Sequence, residues 1–493
     1  MSEQHITPRA KDYAQWYQDV ISAAELAEPA NVVKGCMVVR PHGWAIWEKI
    51  QAELDRRFKA TGHQNCAFPL LIPLSFLEKE AEHATGFAME CAVVTHAGLR
   101  KGADGKIELK NELEEPYVVR PTSETIIGHF FAKWIDSYRD LPLLLNQWCS
   151  VMRWELRTRL FLRTAEFWWQ EGHTAHSTHA EAVEEVHRML GVYRDVYQDL
   201  LAIPVIKGLK TVNEKFAGAH ETFCVEALMQ DGKSLQGATS HDLGQNFGRA
   251  FNVTFQNKEG VRDFVWQTSW GCTTRTIGAL IMVHSDDNGL VLPPRVAPIH
   301  VAIVPIWKSD AERAKVLEAS EKIAAELRED GLTVKLDDRD IKPGAKYYEW
   351  ERKGVPLRLE VGPRDLESRT AFAKRRIADG KEKIPFDNIG VAVGKVLDEI
   401  QSELFRRALA HREANTVSSD SWADFESIFA GAGSKYVWAH WDRTTETELA
   451  IKDATKATIR CVPLAGEGPA PEKGVCIKTG RPSAQRVLFA KNY

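Results

Sequence analysis

The chain has 493 residues, is 44% hydrophobic and 27% charged, and carries a formal net charge of −4, so it reads as an ordinary water-soluble chain of roughly two to four domains. No apolar run of about 18 residues argues for a membrane span, and the polar N-terminus is expected to hold no secretion signal. Its 8 Cys stand singly with no CxxC pair, which fits free thiols in a reducing cytosol, and near-neutral charge neither requires nor excludes a nucleic-acid partner.

In chain order, a first block runs to about residue 295 and mixes helical and strand-like patterns. RPTSET (120–125) lies between the strand-like YVV and the helical IIGHFFAKWI; its hydroxyls and Glu124 are natural helix caps. WCSVMRWELR (148–157) places Arg153 and Glu155 two apart, on one face if the strand continues through them. FLRTAEFWWQEGHTAH (161–176) is rich in aromatics, and alternation sets Phe167, Trp169 and Glu171 on one face. LQGATSHDLGQNF (235–247) precedes WQTSWGCTTRTIGAL (266–280), where Gly271 reads as a turn into a helix carrying Arg275, a natural anion site. His173, His176 and His179 span a strand end and a helix start and need not converge on a metal; Thr178 with Glu181 reads as a capping box.

VLPPRVAP (291–298) marks a linker. HVAIVPI (300–306), LTVKLD (332–337) and PLRLEVG (356–362) read as strands around a helix over 309–331, a small α/β unit. After the polar stretch HREANTVSSD (411–420), ATIRCVPL (457–464) and RVLFA (486–490) read as further strands.

Each cluster alone is weak, but their order is specific. RPTSET, NQWCSVMRWE, FLRT, WQEGHTAH, TSHDLGQNF, SWGCTTRTIG and GLVLPPRVAP resemble, in sequence and order over nearly the whole chain, the class II aminoacyl-tRNA synthetases. Within that class the similarity is to the prolyl-tRNA synthetase family, in its archaeal and eukaryotic-type branch. The resemblance implies an α+β and α/β multidomain protein. A class II catalytic domain built on a mostly antiparallel sheet is expected over 1–295. An α/β anticodon-binding domain is expected over 299–408 and a small α/β C-terminal domain over 409–493. It implies ATP-dependent activation of L-proline to prolyl-adenylate and transfer to tRNA(Pro), with Mg²⁺, in a cytoplasmic homodimer paired through the catalytic domain. Residues 176–268 are too few for the large editing insertion of the bacterial-type branch, so no cis editing is expected.

The resemblance also assigns roles. Arg153 and Glu155 of motif 2, and Arg275 of motif 3, are the catalytic set. Arg153 would bind the ATP α-phosphate and the substrate carboxylate. Arg163 and Thr164 would grip the nucleotide, with Thr273 beside Arg275. Gln236 and Thr239 would hold nucleotide and magnesium. Thr122 and Glu124 would take the proline nitrogen, and Trp169, Glu171, His173, Phe216, His241 and Ser269 would complete the pocket. Arginines that neutralise developing phosphate charge suit this chemistry, which needs positioning more than covalent catalysis. One departure is Ala165, where the family string usually has a second Arg; Arg157 and Arg159 lie close in sequence.

Residues 335–383 hold 14 Lys+Arg against 10 Asp+Glu, with Tyr347, Tyr348 and Trp350 interleaved. Composition alone favours a solvated surface. The resemblance makes it an anticodon-reading face, with Tyr347 stacking on a base and Glu351, Arg358 and Arg364 at base edges. Many family members carry a four-Cys zinc site near the C-terminus. Here the aligned positions are His440, Thr445, Cys476 and Thr479, with Cys461 inside a strand, so no zinc site is expected. That domain is instead expected to rest on Trp438, Trp441, Ile451 and Val475. A threonyl-type synthetase would want a zinc-binding Cys/His set in the first block, which shows no such spacing. A non-catalytic tRNA-binding paralogue fits poorly with intact Arg153, Glu155 and Arg275.

Overall fold

The computed structural model describes residues 5–81, 91–155 and 157–493. Its spine is one 11-stranded sheet. From one edge the strands run Thr416–Ser418, Tyr436–His440, Arg486–Ala490, Thr458–Pro463, Val205–Leu209, Glu221–Leu228, Ser234–Gly244, Trp266–Thr273, Glu166–His176, Leu143–Met152 and Gln64–Asn65. All neighbours are antiparallel except the outermost pair at each edge, as the class II expectation requires.

The helix His179–Asp195 packs against the middle of this sheet. It buries Ala182, Val186, Met189, Leu190 and Tyr193 at helical spacing, and Thr178 with Glu181 forms the predicted capping box. Beside it, Trp270 is buried against Phe58. A Cβ at Gly172 would sit 2.1 Å from the Trp270 ring, so only glycine fits beneath that indole.

The second unit is a five-stranded sheet in the order Val334–Leu336, Val301–Pro305, Leu357–Val361, Thr370–Arg375, Glu382–Pro385. Its first three strands are parallel, and the helices Asp310–Glu329 and Ile389–Ala414 close its core. The strands and helix read from residues 300–362 all form.

The C-terminal strands extend the 11-stranded sheet at one side. Val462 pairs with Leu209 and Pro463 with Gly208. A Cβ on Gly208 would lie 2.4 Å from that of Cys461, so a bare backbone is needed at the join. Buried Glu226 seals this seam. It receives Lys210 Nζ at 2.7 Å, Arg460 at 3.0 and 3.1 Å, and Ser234 Oγ at 2.6 Å. Trp438, Trp441 and Ile451 are buried as expected, but Val475 is 60% exposed, because it lies in a short two-stranded turn outside the core. Nearby, Asp442 accepts hydrogen bonds from the hydroxyls of Thr444, Thr447 and Thr479, tying the start of the helix Thr445–Thr455 to the 476–481 turn. His440 and Cys476 are both buried there, with Ile477 N donating to the His440 carbonyl at 2.9 Å. Among the described residues, no group of three His, Cys, Asp or Glu is placed to hold a metal ion, and no helix is long and apolar enough to cross a membrane.

Candidate active site

The cleft is written by strand alternation. Antiparallel register sets Thr222, His241, Ser269, His173 and Leu145 in one row across five strands. Two residues along each strand, Thr239, Gly271, Glu171 and Gln147 form the next row, and Thr273, Trp169 and Cys149 the one after. The register slips at Val225/Glu226, leaving Gly237 as an extra residue on its strand. That bulge restores Gln236 to the face that Thr239 occupies, three positions away.

The result is a cavity of about 430 Å³. Every residue expected to bind proline or ATP lines it: Thr122, Glu124, Arg153, Glu155, Arg163, Thr164, Trp169, Glu171, His173, Phe216, Gln236, Thr239, His241, Ser269, Thr273 and Arg275. The sequence reading did not single out Glu214 or Thr222, which also line it; the loop carrying Glu214 shows no recognisable pattern beyond Phe216, and Thr222 lies in the strand that follows.

Three local expectations are corrected. The strand stops at Met152, so Arg153 and Glu155 lie beyond it; Arg153 turns back, its N pairing with the Ala165 carbonyl and its Nε donating to the Pro121 carbonyl. Gly271 is no turn but a strand residue, and its missing side chain leaves space under the Trp169 ring. Ser123 stands at the N-cap of the helix Glu124–Trp134 without capping it, because its hydroxyl is drawn to Glu171.

Charge is separated along the cavity. At one end, Glu124 accepts the Thr122 hydroxyl, and Glu171 is held by Ser123, by Gln147 at 2.6 Å and by His173 at 3.0 Å. Burial alone would raise the Glu171 carboxyl, but the His173 hydrogen bond and charge, with Ser123 and Gln147, hold it below the usual carboxylate range. Burial likewise opposes a charge on His173, and Glu171 outweighs it, keeping that imidazole above its ordinary value. Burial, aided by the neighbouring His173, pushes His241 down to about 3, so its ring is neutral. Phe216 lies 4.7 Å from the His241 ring and supplies an apolar wall.

Arg153 stands between, in the field of Glu124 and Glu171, and Arg163 and Arg275 lie beyond it. Arg153 lies over the rings of Phe167 and Trp169 at 5.4 and 5.6 Å. Arg275 opens the helix Arg275–His284, its N held by Thr273 and its Nε by the Leu162 carbonyl. Burial lowers the pKa of both guanidiniums, the mark of cations placed where protein alone compensates them poorly. Arg163 lies 3.5 Å from Glu155. Ala165 is buried against the turn at Gly35, to whose carbonyl its N donates, so a longer side chain there would displace that turn. Arg157 and Arg159 are exposed on the same loop.

On the second unit, Arg358 lies over the Tyr347 ring at 4.0 Å and pairs with Glu360 at 3.0 Å, while Lys381 reaches Glu360 at 2.7 Å. Glu351 and Arg358 line one small depression, and Arg364 is exposed at the start of the helix Pro363–Ser368.

Family models agree with these units. Residues 106–284 match the tRNA synthetase class II core domain (G, H, P, S and T), 300–403 an anticodon binding domain, and 422–493 the C-terminal region of prolyl-tRNA synthetase. The proline--tRNA ligase of Porphyromonas gingivalis is 55% identical over 492 residues, covering 99% of each chain, and that of Flavobacterium johnsoniae is 54% identical over 494 residues with the same coverage. A crystal structure of prolyl-tRNA synthetase from Cryptosporidium parvum, complexed with halofuginone and AMPPNP, superposes with a TM-score of 0.92 at 39% identity over 100% of both chains. The 177–265 segment folds wholly into the catalytic unit, leaving no inserted editing domain. A polar cavity that sets Glu124 and Glu171 on one side of Arg153 and Arg163 and Arg275 on the other, on a class II sheet, in a chain matched over its full length by proline--tRNA ligases, places the chain in one family: it belongs to the prolyl-tRNA synthetases, ATP-dependent aminoacyl-tRNA ligases.

Proposed function

We propose that the cavity binds L-proline and ATP side by side and joins them as prolyl-adenylate, which then esterifies the 3′ end of tRNA(Pro). The observation that carries this reading is the charge separation. Arg153 and Arg275 face the cavity held by backbone carbonyls, as a polyphosphate site requires, while Glu124 and the apolar rings of Trp169 and Phe216 suit a compact cationic ring. In this reading Glu124 and Thr122 take the proline nitrogen. Arg153 brings the carboxylate to the α-phosphorus and neutralises both anions. Arg275 at its helix start, with Thr273, draws charge from the departing pyrophosphate. Arg163 and Thr164 grip the nucleotide. His241, Ser269 and His173 shape the floor, and Glu171, fully committed to Ser123, Gln147 and His173, fixes that floor.

Mg²⁺ fits the donors present. Gln236, Thr239 and Glu155 offer hard oxygens on the cavity wall, and such an ion takes few protein ligands beside phosphates. It would neutralise phosphate charge there. The 299–408 unit would read the anticodon through Tyr347, Glu351, Arg358 and Arg364, and the catalytic unit over 1–295 would pair two copies in the cytoplasm, with 409–493 as a third unit. Amino-acid-dependent ATP–pyrophosphate exchange across all twenty amino acids tests the central reading. Proline is expected to give the strongest exchange. Equal activity with threonine, or none with any amino acid, would refute it.

A further inference from the structure

Phe216 and Glu214 reach the cavity from the loop between the strands Val205–Leu209 and Glu221–Leu228. The far end of this loop is fixed by Phe216 N donating to Thr222 Oγ1 at 3.0 Å. Its stem is fixed from outside the catalytic unit. Thr211 Oγ1 donates to one oxygen of Glu448 at 2.7 Å, and Asn213 Nδ2 to the other at 2.9 Å. Glu448 lies on the C-terminal helix Thr445–Thr455 and is 4% exposed. Both its oxygens are therefore spent on a loop more than two hundred residues away in sequence, although burial disfavours its charge.

From this we infer that Glu448 is a positioning residue for the amino-acid pocket: through Thr211 and Asn213 the C-terminal unit sets the place of Phe216 and hence proline affinity. This rests on the reading of the cavity as the proline site. At the nucleotide end Arg153 and Arg275 hang instead from Pro121 and Leu162, outside this loop. A carboxylate lost here should therefore be felt by one substrate only.

The test is pyrophosphate exchange on the full chain, titrating proline and ATP separately. Glu448→Ala is expected to raise KM for proline roughly tenfold, with kcat and KM for ATP within about threefold, the pattern of lost ground-state positioning. Glu448→Gln keeps one carbonyl oxygen as acceptor and should fall between. Thr211→Val with Asn213→Ala should reproduce the split from the loop side, and carries the test by itself if Glu448→Ala does not fold. Equal shifts in both substrates, or no shift in proline KM, overturn the inference. Absence of proline-dependent exchange in the unsubstituted chain would instead overturn the reading of the cavity, and this inference with it.

Discussion

Two clusters of buried charge sit on the same sheet, and they are finished to different degrees. At the seam, Lys210 and Arg460 close on Glu226; Ser234 adds a hydroxyl, and Tyr436 in turn bonds Ser234. In the cleft, Arg153 and Arg275 have carbonyls for partners and open space before them. The seam is complete as protein alone. In the proposed reading the cleft is complete only when an anion enters. That reading assigns stability and catalysis to separate clusters, and substitutions should divide along that line.

The largest expected effect is at the seam. Glu226→Ala would strand two buried cations and cost about 3–5 kcal/mol of unfolding free energy, read by chemical denaturation. The pH dependence sharpens it. Burial would raise the Glu226 carboxyl, but Arg460 and Lys210 hold it down at about 2, against about 4.5 for an unhindered glutamate. A folded value below the unfolded one contributes stability above pH 4.5 and loses it as pH falls towards 2. Glu226→Gln should flatten the denaturation curve in that window. An unchanged acid profile would mean that the seam carbonyls, not the carboxylate, neutralise the cations.

Arg275→Ala should do the reverse. Exchange is expected to fall by about 10²–10³, the cost of removing one preorganised partner of transition-state charge. Unfolding free energy should stay level or rise, because a poorly compensated buried cation is removed. A variant with near-normal exchange would take Arg275 out of the site, and one that unfolds would erase the contrast with the seam.

The motif order made the sheet and the cavity legible in advance through the family resemblance, while period-two alternation alone placed Phe167, Trp169 and Glu171 on one face. What stayed hidden was non-local. No local pattern tells that Val462 will pair with Leu209, or that a bulge at Gly237 will bring Gln236 and Thr239 to one side. Alternation also carried the strand past Met152, where the backbone in fact turns to bond Ala165. Gly271 misled because glycine marks turns and close ring contacts alike. Val475 looked like core by its side chain alone, though its backbone runs in an exposed turn.

The smallest expected effect lies furthest from both clusters. Arg358→Ala and Glu351→Ala should weaken tRNA charging, roughly tenfold in kcat/KM for tRNA(Pro), and leave pyrophosphate exchange within about twofold. The structure gives a reason for that separation. The two units are joined at this point by Arg376, which pairs with Asp286 at 2.6 and 2.8 Å and bonds the backbone carbonyls of Leu290 and Glu351. Truncating the Glu351 side chain leaves its carbonyl, and hence the joint, in place. Removing Arg358 leaves Glu360 with Lys381, so no carboxylate is stranded, and the Tyr347 ring merely loses one covering cation. The one route from these side chains towards the cleft runs through Arg376, whose partners both changes leave in place. If exchange and charging fall together, the loss would have travelled through the Arg376 joint, and these residues would belong to the coupling of the units and not to anticodon recognition.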